Sequence, residues 1–130
     1  MISKQILVVD DNNDCTALIK CVLEAETDWN IITASNGKEG IILANYIQPD
    51  AILLDIVMPD LNGLDIYRLL KSALNTCFIP IIFMTAMIPF AEILELQITE
   101  NVKIVTKPMN IDQLQSLISE EIRDYSYLYN

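Results

Sequence analysis

Five short apolar runs punctuate the chain, at residues 5–9, 31–34, 51–54, 79–84 and 102–105. They are rich in Ile, Val and Leu, and most are continuous rather than alternating. Strands covered on both faces read this way. Between them the period becomes helical. Cys15, Leu18, Ile19, Val22 and Leu23 fall at i, i+3, i+4, i+7 and i+8, one face of a helix that Asn12 or Asn13 can cap. A second helix is predicted over 38–47, after the turn "SNG" and before Pro49. A third follows Gly63, with Leu64, Tyr67, Leu70 and Leu74 in register. A fourth starts at Pro89, a residue suited to a first helical turn, with Phe90, Ile93, Leu94 and Leu96 as its apolar positions. The fifth follows Asn110 with Ile111, Leu114, Leu117, Ile118, Ile122 and Tyr125, and "YSYLYN" is its fraying end.

Five strands alternating with five helices predict an α/β fold, an open parallel sheet with helices on both faces and right-handed crossovers. The pattern leaves both common doubly wound strand orders open. In either order, ligands bind beyond the C-terminal ends of the strands. Strand one ends in Asp10-Asp11, strand three in Asp55, strand four in Thr85 and strand five in Lys107-Pro108. A single Asp after a strand is more often a turn former or helix cap, and a Lys-Pro is commonly just a loop. The weight lies in their joint occurrence at the ends of four strands.

Composition narrows the chemistry. The 130 residues suit one domain, 1–130, with no effector domain expected. Lys+Arg is 8 against Asp+Glu 18, a net charge of −10. That argues against nucleic-acid binding and against an anionic membrane surface. The apolar stretch 77–94 is interrupted by Pro80 and Pro89 and is too short to span a bilayer. No signal peptide opens the chain, so a cytoplasmic protein is expected. Cys15, Cys21 and Cys77 form neither a disulfide framework nor a zinc spacing, and are read as core thiols. Histidine is absent, which removes Ser-His and Cys-His catalysis.

Three clustered carboxylates cannot all ionise cheaply in a partly buried site. A divalent cation relieves the repulsion. Mg²⁺ suits a few carboxylates shared with phosphate oxygens. One carboxylate can then act as nucleophile toward phosphorus, with Lys107 supplying positive charge and Thr85 a hydroxyl. Ala86 is small and leaves room for a phosphoryl group. With only three glycines there is no phosphate-binding loop, so the phosphoryl group must come from a partner or a small donor.

The motifs "ILVVDDN", "DAILLDIVMPDLNGLDIYRLLK", "IPIIFMTA" and "VTKP" together resemble the receiver domains of two-component response regulators, across essentially the whole chain. The resemblance implies a flavodoxin-like sheet in the order 2-1-3-4-5. It implies Asp55 as phosphoacceptor, Asp10 and Asp11 as the acidic pair with Asp11 ahead as direct Mg²⁺ ligand, and the Val57 backbone carbonyl completing the metal site. It gives Thr85 as the switch hydroxyl and Lys107 as the family's lysine, with Met58-Pro59 and Gly63 in the loop after the acceptor. The chain would catalyse its own phosphoryl transfer without being a turnover enzyme. The implied partners are a sensor histidine kinase or phosphotransfer protein and a downstream protein. The implied state is a monomer, or a homodimer through the fourth helix, fifth strand and fifth helix.

Two departures stand out. Ile104 occupies a position that is often aromatic, and "ITENVKIVTKP" lacks the usual Gly-Ala pair. Apolar Val57 and Met87 flank the acceptor, which predicts slow self-dephosphorylation. Two other readings compete. A phosphorylation-independent adaptor is kept open by Ile104. An aspartate-nucleophile phosphatase of haloacid-dehalogenase type needs a second Asp two residues after the nucleophile. That position is Asn12 after Asp10 and Val57 after Asp55.

Overall fold

The computed structural model describes residues 3–86, 103–108 and 110–129, with side chains as far as residue 122. In chain order the elements are β1 (Gln5–Val9), α1 (Asn13–Glu26), β2 (Asn30–Ala34), α2 (Gly37–Ile47), β3 (Ala51–Asp55), α3 (Gly63–Ser72), β4 (Ile81–Thr85), β5 (Lys103–Thr106) and α4 (Ile111–Tyr129). α4 is the helix expected fifth. The helix expected from Pro89 lies outside the described residues, as does Met87.

The five strands form one parallel sheet in the order β2-β1-β3-β4-β5. β1 sits between β2 and β3, so the chain leaves β1 in one direction and returns on its other side. The resulting crevice opens at the C-terminal ends of β1 and β3. The continuous apolar runs are explained by burial on both faces. Leu7, Val9, Ile52, Leu54, Ile81 and Phe83 pack with Ala44 of α2 and Ile66, Tyr67 and Leu70 of α3. Ile6, Val8, Leu53, Ile82 and Met84 point the other way, onto Ile19 and Leu23 of α1 and Leu114, Ile118 and Ile122 of α4. Each fully buried aliphatic side chain contributes about 1.5–3 kcal/mol, and the two clusters hold the strand ends in fixed register.

The helix caps are side chains placed for that purpose. Asn12 Oδ1 accepts from Cys15 N (3.0 Å), Asn36 Oδ1 from Glu39 N (2.8 Å) and Asn62 Oδ1 from Asp65 N (2.9 Å). Asn110 Oδ1 accepts from Asp112 N (2.9 Å) at the start of α4. α2 ends where Gln48 turns left-handed at φ 52° ahead of Pro49.

Three expectations are corrected. Leu18 lies 58% exposed, and Thr16 is buried in its stead, its hydroxyl satisfied by Asn13 O at 3.1 Å. Leu74 is outside α3, which ends at Ser72, and is 91% exposed. The cysteines are not core thiols: Cys21 is exposed and Cys15 and Cys77 are half-buried.

β2 is an edge strand, and its Ile31 is covered by a side-chain pair. Ile31 N donates to Glu24 Oε2 (3.1 Å), Lys20 Nζ donates to Ile31 O (2.6 Å), and the two side chains meet at 3.2 Å. Such covering blunts an edge that could otherwise pair with another strand. The Ile31 N–H, and then Lys20, hold the Glu24 pKa below its usual value. The contribution is therefore present above the unfolded value of 4.5 and lost as pH falls through the folded one. Glu24→Ala is expected to lower the protection of the Ile31 amide relative to its intrinsic exchange rate, and acidification below pH 4.5 to lower that protection in the wild type. Unchanged protection in both would show the pair to be idle.

Candidate functional site

The residues singled out from strand ends converge. Asp10 follows β1, Asp55 closes β3, Thr85 closes β4 and Lys107 follows β5. Parallel pairing places Asp55 beside Met84 and Thr85 beside Thr106. Asp10, Asp55 and Thr85 are buried, whereas Asp11 is exposed. Carboxylate oxygens of Asp10, Asp11 and Asp55 lie within 4.8 Å of one another, close enough to share one cation. Lys107 reaches across from β5. Its Nζ lies 2.6 Å from Asp10 Oδ2 and 3.4 Å from Asp55 Oδ2.

Backbone groups fix the remaining oxygens. Asp10 Oδ1 accepts from Asn12 N (3.0 Å), and Asp55 Oδ1 from Val57 N (3.2 Å). Lys107 N donates to Thr85 O (2.8 Å), locking the lysine to the end of β4. Asn12 thus serves twice, its backbone steadying Asp10 and its side chain starting α1. Ala86 is exposed next to Thr85, and Val57 is 44% exposed beside Asp55. Ile104 is partly buried against the cluster that contains Phe83. All buried side-chain nitrogen and oxygen atoms among the described residues have partners.

Two carboxylates and one ammonium share this crevice, and their proton affinities are pushed apart. Burial, then the hydrogen bond and charge of Asp10, raise the Asp55 pKa to about 6. Burial also acts to raise Asp10, but Lys107, the Asn12 N–H and the hydrogen bond with Asp55 outweigh it and hold Asp10 below its usual value. Lys107 moves up despite burial, because both carboxylates favour its charged form. Burial and the negative charge of Asp10 push the Cys15 thiol up, so it is not an activated nucleophile. The metal-free crevice therefore carries more negative charge than one lysine neutralises. That is the donor set a hard, oxygen-seeking divalent cation fits.

The response regulator receiver domain profile matches residues 6–119. The chain belongs to the response regulator receiver domain family. Receiver domains serve phosphorylation-dependent two-component signalling, work with histidine kinases and downstream effectors, and bind Mg²⁺ at an acidic pocket. The residues of this receiver that fit that pocket are the clustered aspartates.

Among curated relatives, the Probable transcriptional regulatory protein TcrX of Mycobacterium tuberculosis is 31% identical over 109 residues, 84% of this receiver and 45% of TcrX. Protein PilH of Pseudomonas aeruginosa is 38% identical over 81 residues, 62% of this receiver and 66% of PilH. The receiver spans less than half the length of TcrX. The CheY-like receiver domain protein from Methanospirillum hungatei superposes with a TM-score of 0.85 at 22% identity, covering 97% of this chain and 98% of that one. The Francisella response regulator 1452 receiver domain gives 0.82 at 26%, covering 94% and 98%. Both share the fold described above. Among the described residues no helix is long and apolar enough to cross a membrane.

Proposed function

We propose that this receiver accepts a phosphoryl group on Asp55 and uses the change in charge to alter how it binds a partner. The observation that carries the reading is the lysine bridge. Lys107 touches both Asp10 and Asp55 at an edge where three carboxylates lie within 4.8 Å. An Asp55 oxygen attacks phosphorus, and the bond from phosphorus to the donor breaks with its electron pair leaving on the donor. For a histidine kinase or phosphotransfer protein the leaving atom is a ring nitrogen, and for acetyl phosphate it is the acetate oxygen. Mg²⁺, when bound, neutralises phosphoryl oxygens during this step. Asp10, Asp11, Asp55 and the Val57 carbonyl are the groups that would hold it.

Lys107 then has a phosphoryl oxygen to pair with in place of the Asp55 carboxylate, and Thr85 lies at the next strand end to donate its hydroxyl. Lys107 N is bonded to Thr85 O at 2.8 Å, so a movement of one pulls on the other. The face including β5 and α4 shifts between two populations, and a downstream protein reads the difference. The same face is where a homodimer would form. We place this activity in the cytosol, with no nucleic acid contacted by the receiver itself, whose net charge is −10. The phosphatase reading is weakened further because the Asn12 side chain is committed to capping α1. The adaptor reading rests on aliphatic Ile104, partly buried where an aromatic often swings.

The test is intact mass after incubation with Mg²⁺ and acetyl phosphate, followed by a chase after donor removal. The expected result is a gain of one phosphoryl group, absent in Asp55→Asn and abolished by chelation. Its decay should take minutes or longer, because exposed Val57 offers no polar group to orient water. A wild type that gains no mass from acetyl phosphate or from histidine kinases would leave the adaptor reading in place. Decay within seconds would remove the role given to Val57.

A further inference from the structure

The connection from β3 to α3 carries Val57 and returns to the sheet at Gly63. Its two ends are pinned by backbone. Ile56 N donates to Met84 O (3.0 Å), and Gly63 N donates to Ile56 O (2.7 Å). Between them, Val57 N donates to Asp55 Oδ1 (3.2 Å), Met58 is buried in the core, and Asp60 ties the loop to a neighbouring helix. Asp60 Oδ1 accepts from Gly37 N and Asp60 Oδ2 from Lys38 N, each at 3.0 Å. These are the first two N–H groups of α2, on a separate element 22 and 23 residues earlier in the chain. They are orphan donors at the positive end of the helix, where a carboxylate is favoured.

α2 does not depend on Asp60 to begin. Asn36 already caps it from within, accepting from Glu39 N at 2.8 Å. The contact between α2 and the loop is nonetheless tight. A Cβ on Gly37 would stand 2.7 Å from Ile66 Cδ1 and 3.1 Å from Leu61 Cβ. Asp60 is exposed, so its carboxylate could be solvated by water, yet both oxygens are committed to α2. The two N–H groups, Gly37 first, also lower its pKa. The consequence of this bidentate tether falls on the loop.

We propose that Asp60 is a positioning residue for the metal site: by tying the β3–α3 loop to α2, it fixes the backbone at Val57 and so sets the affinity of the acidic cluster for Mg²⁺. The inference rests on the assignment of the Val57 carbonyl to that site. Met58 and Pro59 alone separate Val57 from Asp60, and the proline ring fixes one of the intervening dihedrals, so the position of Asp60 is passed to the Val57 backbone over a short, stiff span. A hard cation tolerates only a few tenths of an ångström in its ligands. Loss of a group bonded directly to a metal ligand typically weakens binding by about 10–100-fold, and a tether acting through the loop backbone falls at the low end.

The experiment is calorimetric titration of Mg²⁺ into the full chain and four variants. Asp60→Ala is expected to weaken binding by about tenfold, the low end of that range. Asp60→Asn keeps one acceptor oxygen and should fall between. Asn36→Ala removes a cap of the same helix without touching the loop, so its affinity should stay near wild type even if its stability falls. By linkage, Mg²⁺ should in turn slow hydrogen exchange at the Gly37 and Lys38 amides of the wild type. If Asp60→Ala melts too low to titrate, Asp60→Asn and this exchange measurement carry the comparison. Wild-type affinity in the Asp60 variants, with amides indifferent to Mg²⁺, would overturn the inference alone. Binding that survives Asp11→Asn unchanged would overturn the acidic-site reading and this inference with it.

Discussion

In the metal-free protein at neutral pH, Asp55→Asn should raise stability while Lys107→Ala should lower it, although both remove one charge from the same crevice. Two carboxylates face one ammonium, so taking away a carboxylate relieves an excess and taking away the lysine leaves it uncompensated. Asp55 carries the larger share of the conflict, its pKa raised from 3.8 to about 6 by burial and then by Asp10. The difference of roughly two pH units, at 1.36 kcal/mol each, is worth about 3 kcal/mol and bounds the gain from Asp55→Asn. Removing Lys107 exposes fully buried Asp10 to the other sign of the same arithmetic. Breaking a buried pair from one side costs about 3–5 kcal/mol, less whatever Asp55 recovers by keeping its proton.

The pH dependence follows from the same shifts. Between pH 3.8 and about 6 the folded chain holds a proton on Asp55 that the unfolded chain has released. Stability from this group is therefore full below 3.8 and lost as pH rises through about 6. Asp10 is lowered, so its contribution disappears only below 3.8, in a separate window. Urea melts in a chelator should show the wild type gaining stability from pH 7.5 to pH 5, with that gain missing in Asp55→Asn. An Asp55→Asn variant less stable than wild type at pH 7.5 would mean that Lys107 already balances the crevice.

The sheet and the four described helices were legible because apolar runs buried on both faces leave a continuous signature. Strand order was not, since no local pattern says whether β3 returns beside β1 or beyond β2. The family resemblance supplied it. The misplaced side chains have local causes. The period that selects Ile19 and Leu23 also admits Leu18, and nothing in the sequence says on which flank the stripe ends. Thr16 takes the buried place because its hydroxyl bonds back to Asn13 O. Leu74 was carried along because no Gly or Pro marks the stop of α3, whose cap at Ala73 is simply extended.

The site was read more fully than the packing around it. Parallel strands put all their C-terminal ends on one edge, so Asp10, Asp55, Thr85 and Lys107 could be gathered without coordinates. Asp60 could not. A carboxylate after Pro59 looks like any turn residue, and its partners Gly37 and Lys38 are distant in sequence. The same holds for the backbone donors on Asp10 and Asp55, which have no side-chain signature at all. Residues that carry charge to a strand end are visible in a sequence, whereas residues that hold a loop against a neighbouring helix become visible only in three dimensions.

Gly63→Ala is expected to destabilise the receiver by about 2–3 kcal/mol, toward the upper end of what overpacking costs. A Cβ there would lie 2.7 Å from Ile56 Cα and 2.8 Å from Asp55 O, both backbone atoms. Neither can rotate away. Ile56 is bonded to Met84 O on one side and to Gly63 N on the other, so relief must shift the start of α3 or the end of β3. The better helix propensity of Ala returns at most about 1 kcal/mol, and less at a first helical position. Gly37→Ala is the control. Its Cβ would also meet an atom at 2.7 Å, but that atom is Ile66 Cδ1, the far end of a side chain, and Leu61 Cβ at 3.1 Å need give by only a few tenths of an ångström. It should stay within about 1 kcal/mol of wild type, because a flexible neighbour absorbs one methyl group. The two variants should differ in function too. Moving the end of β3 moves Asp55, so Gly63→Ala should gain phosphoryl groups from acetyl phosphate more slowly even where it is fully folded, whereas Gly37→Ala, which keeps the N–H that Asp60 accepts from, should be slowed less. Equal urea midpoints for the two would mean that the loop after Asp55 yields as easily as an isoleucine tip. The acceptor would then be held by Lys107 and its own backbone bonds rather than by the close approach of α3.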